Sequence, residues 1–159
     1  MSTFKASDIM EFAMRIEENG ENFYRFAIQL TGDEGIKKIF QDLAQAEANH
    51  RQLFARIFAD LEKERLPETY DGEYAAYLHN YVDGHIIFKR DLLEKELLKI
   101  KNAKEAVDFA IRRELDSILY YQEIKGFVPE KDHPTIDKII EEERSHFKGL
   151  SQLLTRLPK

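Results

Sequence analysis

The chain has 159 residues and a mass of 18.7 kDa, about one domain with a buried core. Its 43% hydrophobic and 34% charged residues, with only 7 Gly and 4 Pro, exclude a disordered chain and argue for long helices over an all-β fold. A formal charge of -6 offers no general attraction to nucleic acid or anionic lipid, and the lack of cysteine leaves only oxygen and nitrogen to hold a metal.

The first ten residues lack the apolar core of a secretory signal, and no apolar run reaches the about 20 residues of a membrane helix. A cytoplasmic protein with no membrane and no nucleic-acid partner is expected. Apolar residues at 9, 12, 13, 16, 23, 24, 27 and 30, with Gly20 in register, follow the helical period. They predict a first helix over 8–30, opened at Ser7-Asp8 and stopped by Gly32. Asp33 can cap a second helix over 33–64, whose stripe includes Ile36, Phe40, Leu43, Phe54, Ile57 and Leu61. Leu66-Pro67 ends it. Residues 65–101 then read as a helical crossover, rich first in Tyr and later in Leu and Lys. Asn102 with Glu105 has the form of a capping box for a third helix over 102–125, before Gly126. Pro129 and Pro134 bracket a loop, and a fourth helix over 134–156 carries Ile136, Ile139, Ile140, Phe147, Leu150 and Leu153. The chain is thus expected to be one all-α domain of two helical hairpins.

The two hairpins repeat each other. Residues 13–24 align with 110–121, sharing Ala, Arg, Glu and Tyr at equal spacing, and 40–50 align with 136–146. Glu17 precedes Glu47 by 30 residues and Glu114 precedes Glu143 by 29. Residues three or four apart share a helix face. Glu17 therefore falls with Ala13, Gly20 and Tyr24, and Glu114 with Ala110, Ile118 and Tyr121, while Glu47-x-x-His50 and Glu143-x-x-His146 interrupt the apolar stripes of their helices. All six side chains are expected to face one core.

Four carboxylates in a low-dielectric interior must protonate, find cations or bind metal. No Lys or Arg is read onto these stripes. Two divalent ions would balance four glutamates, and imidazole beside carboxylate suits iron or manganese, with zinc a competitor. A single Glu-x-x-His is more often a solvated surface feature. Two copies, each on an apolar stripe and each following an inward Glu, point to a dinuclear centre.

With these residues the sequence resembles the ferritin-like di-iron carboxylate proteins, specifically the rubrerythrin type, in which two helices each give a Glu and two give Glu-x-x-His. The resemblance spans nearly the whole chain apart from 64–101. It implies a ferritin-like antiparallel four-helix bundle holding two iron ions, with manganese or zinc as substitutes. It further implies that Glu47 and Glu143 bridge the metals, that Glu17 and Glu114 are terminal, and that His50 and His146 each ligate one metal. Tyr24 and Tyr121 match aromatic positions beside such centres. They are candidates for hydrogen-bonding the bridging carboxylates or donating electrons, with an ordinary core role as the alternative. Glu18 points off the stripe, and His79, His85 and His133 are not read as ligands.

The resemblance implies an oxidoreductase that reduces hydrogen peroxide or dioxygen. Without Cys there is no rubredoxin-type iron in this sequence, so an external electron-donor protein is expected. Ser117 stands where rubrerythrins carry a further carboxylate, three residues after the third-helix Glu. Two other readings remain open: a ferroxidase that handles iron, and a metal-stabilised helical interaction protein using Tyr74, Tyr77, Tyr81 and Phe88. A homodimer is expected from the surplus of apolar helix surface.

Overall fold

Residues 6–64, 76, 80 and 90–158 are described by the structure, a computed structural model of the chain. α1 (Ala6–Ala27) tightens into a 3-10 turn at Ile28–Leu30 before Thr31, whose φ -137 and ψ 145 are extended. The first helix thus leaves its α-helical pattern before residue 30. Gly32 is not the left-handed stop expected of it, because Thr31 has already taken the chain out of the helix. Asp33 caps α2 (Glu34–Glu64), its Oδ1 accepting from Ile36 N at 3.0 Å.

After α2, the described part of the connection contains α3 (Arg90–Leu97), where Leu93 is buried. The expected Tyr74, Tyr77, Tyr81 and Phe88 patch lies outside the described residues, as do His79 and His85. α4 (Ala103–Ile124) is capped by Asn102, whose Oδ1 accepts from Glu105 N at 2.9 Å. Glu105 reaches back to Lys101 N at 2.8 Å, one residue earlier than an ideal capping box. Two 3-10 turns, Lys125–Phe127 and Glu130–Asp132, lead into α5 (His133–Arg156), with Pro134 in its first turn. No strand occurs among the described residues.

α1 packs along α2, and α4 along α5. The apolar residues of the four long helices form two clusters. One gathers Ile9, Ile16, Phe54, Ile57, Tyr120, Tyr121, Ile136 and Ile140, and the other Phe23, Tyr24, Phe40, Leu43, Val107, Ala110, Leu150 and Leu153. α1 and α5 pass from the first cluster to the second as the sequence advances, whereas α2 and α4 pass the other way. Each hairpin is therefore antiparallel, while α2 and α4 run parallel. The end of α2 and the start of α4 therefore lie at opposite ends of the bundle, and α2 alone, with 31 residues, is about 46 Å long. That distance explains why the connection is long and the two hairpin loops are short. Leu97 and Ile100 join the second cluster, which places the end of the crossover where α4 begins. Midway along each of the four long helices, where the two clusters meet, the stripe turns polar.

Candidate metal centre

That polar layer holds Glu17 from α1, Glu47 and His50 from α2, Arg113, Glu114 and Ser117 from α4, and Glu143 and His146 from α5. Glu17, Glu47, His50, Glu114 and Glu143 are at most 1% exposed. His146 is 17% exposed and lies nearest to solvent. The six residues singled out from the sequence are brought together in two overlapping groups, Glu47, Glu114, Glu143 and His146, and Glu17, His50 and Glu143. Within each group one oxygen or nitrogen per residue lies within 4.8 Å of the others. Glu143 is common to both groups and Glu47 belongs to one.

His50 Nδ1 lies 2.7 Å from Glu143 Oε1 and 3.5 Å from Glu17 Oε2, while its Nε2 meets Glu142 Oε2 at 2.7 Å. His146 Nδ1 sits 3.7 Å from Glu143 Oε2 and 3.8 Å from Glu114 Oε2. The two imidazoles face each other, 6.0 Å between ring centroids. Despite this proximity, Glu17 Oε2, Glu47 Oε1, His50 Nδ1, Glu114 Oε2, both Glu143 oxygens and His146 Nδ1 are buried without a hydrogen-bond partner. Buried carboxylate oxygens left unpaired in this way carry a desolvation cost that a cation bound among them removes. The donor set of carboxylate oxygens and imidazole Nδ1 fits divalent iron or a similar metal.

Without a metal, protons take its place. Burial works against the His50 imidazolium, yet Glu143 and Glu17 beside it prevail and push its pKa up to about 12. Burial likewise opposes charging His146, and Glu114 and Glu143 prevail, raising it to about 10. Burial, with Glu143 adjoining, lifts Glu114 to about 7. Glu143 feels the same burial, but its contacts with Glu114, His146 and His50 outweigh it and hold the carboxyl to about 2. Burial pushes Glu47 well above the ordinary range against the pull of Arg113, and Glu17, Glu143 and Glu114 add to the rise.

Two features differ from the sequence reading. Tyr24 Oη donates to Glu114 and Tyr121 Oη donates to Glu17, so the tyrosines serve the carboxylates expected to be terminal, not those expected to bridge. Each is fully buried, and burial beside its carboxylate raises the phenol well above its usual pKa, so both remain proton donors. The second difference is a cation on the stripe where none was expected. Arg113 is 3% exposed, donates from Nη2 to Glu47 Oε2 at 2.6 Å, and sets its guanidinium carbon 5.7 Å from the Tyr24 ring centroid. Its neighbours Ala110 and Ser117 on α4, and Gly20 on α1, are small, and that pattern was the sequence signal for a large side chain packed among them. Ser117 bonds its own helix, Oγ to Arg113 O at 2.9 Å. Glu142 also went unsingled, since it lies one position off the apolar stripe. Glu18 is exposed, as expected, and His133 bonds Val128 O away from the cluster.

The rubrerythrin family profile matches residues 8–154. Among solved structures the chain is similar to a Thermotoga maritima protein described as a ferritin-like diiron-carboxylate protein. The two are 30% identical with a TM-score of 0.73, over 98% of this chain and 97% of that one. No curated protein sequence matches the chain. No helix among the described residues is long and apolar enough to cross a membrane.

Proposed function

The chain belongs to the rubrerythrin family, and on that premise we propose that it is a non-haem di-iron oxidoreductase reducing hydrogen peroxide or dioxygen. Glu17, Glu47, His50, Glu114, Glu143 and His146 would hold the two iron ions, with Glu143 shared between them. The single observation that carries this reading is the convergence of unpartnered oxygen and nitrogen atoms from all six residues in one buried layer. When bound, two ferrous ions supply the two electrons that, with two protons, convert hydrogen peroxide to two waters.

The chain's own groups do the rest. Glu142 takes the Nε2 side of His50, which leaves Nδ1 as the nitrogen aimed into the site. Tyr24 and Tyr121 keep their protons and fix one oxygen each of Glu114 and Glu17, turning the other oxygens inward. The apolar clusters above and below exclude bulk water, and the partial exposure of His146 gives a small oxidant a way in. An external protein would return the electrons.

The test is stopped-flow oxidation of the anaerobically iron-loaded, reduced protein by hydrogen peroxide. The proposal expects oxidation much faster than that of free ferrous ion, with the iron retained on the protein and reducible again. Oxidation no faster than in solution overturns peroxide reduction, and oxidised iron leaving the protein favours the iron-handling reading.

A further inference from the structure

Arg113 has no counterpart in the repeat that generates the rest of the site. The equivalent position on α1 is Ile16, and the equivalent of Ser117 is Gly20. Gly20 is where the two halves meet, because a Cβ there would overlap both Arg113 Nη2 and Glu47 Oε2. The missing side chain on α1 is thus the seat of the guanidinium from α4. Nη2 spans from Glu47 Oε2 at 2.6 Å to Ile16 O at 3.5 Å, while Nε and Nη1 are buried without a hydrogen-bond partner. An arginine so under-used as a donor is poorly explained by packing alone.

The consequence falls on Glu47. Its Oε2 is taken by Arg113, and only Oε1 is free to face the cluster. Glu143 offers both oxygens and serves both metal groups, whereas Glu47 joins Glu114, Glu143 and His146 but not Glu17 and His50. The donor sets are therefore unequal, four side chains against three. We propose that Arg113, seated over Gly20, is a positioning residue that confines Glu47 to a single metal position and so makes the two metal positions unequal in affinity. This rests on the dinuclear reading above. It adds that the symmetry of the ligand pattern is broken by this chain on purpose-built geometry, with one position complete and the other dependent on the release of Glu47.

Anaerobic calorimetric titration with ferrous ion alone tests it, on the native protein, Arg113→Met, Arg113→Lys and Gly20→Ala. Native protein should bind two ions in steps separated by at least about tenfold in affinity. Arg113→Met frees Oε2 and should close that gap by strengthening the weaker step, whereas Arg113→Lys keeps a cation on Glu47 and should keep the gap. Gly20→Ala leaves arginine in the chain but fills its seat, and should behave as Arg113→Met does; it serves if the methionine variant fails to fold. Two equal steps in the native protein overturn the proposal, as does an unchanged gap in Arg113→Met or Gly20→Ala. Those results leave the dinuclear centre standing, while a native protein that takes up no iron overturns both.

Discussion

His50 and His146 occupy equivalent places in the repeat, yet their surroundings differ by one carboxylate. Glu142, immediately before Glu143, reaches across to His50 Nε2, and the matching residue before Glu47 is Ala46. Fixing the far nitrogen of a ligand imidazole sets its tautomer and orientation. Glu142→Ala should therefore weaken metal binding by about 10–100-fold, read by competition with a chromophoric chelator. Since Glu142 is 43% exposed, the same change should cost the metal-free fold less than about 1 kcal/mol. Unchanged affinity would show that Glu142 does not position the ring. Tyr24→Phe acts differently, because it leaves Glu114 Oε1 buried without its donor. Urea unfolding of the metal-free variant should show a loss of about 1–3 kcal/mol. The ligand residues were legible because a charge on an apolar stripe violates the pattern twice in the same way. Glu142 was not, because nothing in its own helix's period distinguishes it from a solvated acid.

At the level of the helix, α4 carries most of what the sequence left unread. Its buried face includes Ala106, Val107, Ala110, Arg113, Glu114, Ser117, Tyr120, Tyr121 and Ile124, a band two residues wide. A band that broad admits two adjacent charged residues, so placing Glu114 inward did not decide where Arg113 points. Only the small residues around it, one of them on another helix, specify its place. Helix ends show the same division between local and distant causes. Asn102 and Asp33 act as caps through bonds to residues three further on, which sequence spacing captures. The early end of α1 depends on the path the chain takes toward α2. Asn102→Ala should lower stability by about 1 kcal/mol in denaturant unfolding while leaving metal stoichiometry unchanged, since the cap lies more than three turns from Glu114. A loss of metal binding there would mean that the α4 register is set by its cap and not by its packing.

For the molecule as a whole, the centre couples stability to pH and to metal. His50 and His146 rise in the metal-free fold to about 12 and 10 from 6.5. The fold therefore binds more protons than the unfolded chain between these values, and stability falls as pH rises, by up to about 1.4 kcal/mol per pH unit for each extra proton. Their contribution is complete below pH 6.5 and is lost through 10 and then 12. Glu143, held to about 2 from 4.5, works oppositely, contributing above 4.5 and losing its share in acid. The melting temperature of metal-free protein should thus decline from pH 6.5 to 9. Bound metal replaces those protons, so the gain in melting temperature on adding metal should grow over the same range. A metal-free melting temperature that rises instead would contradict the protonated site. The bundle topology was readable from four amphipathic stripes, whereas the shared direction of α2 and α4 becomes visible only once the two apolar clusters are seen in space. The central claim is that one buried layer holds two metal ions through glutamates and histidines from all four long helices. Anaerobic ferrous titration of native protein and of a Glu47→Ala, Glu143→Ala variant tests it most directly. Two irons per native chain with a sharp loss in the variant is the predicted result, and less than one iron per native chain, after other metals are stripped, would contradict it.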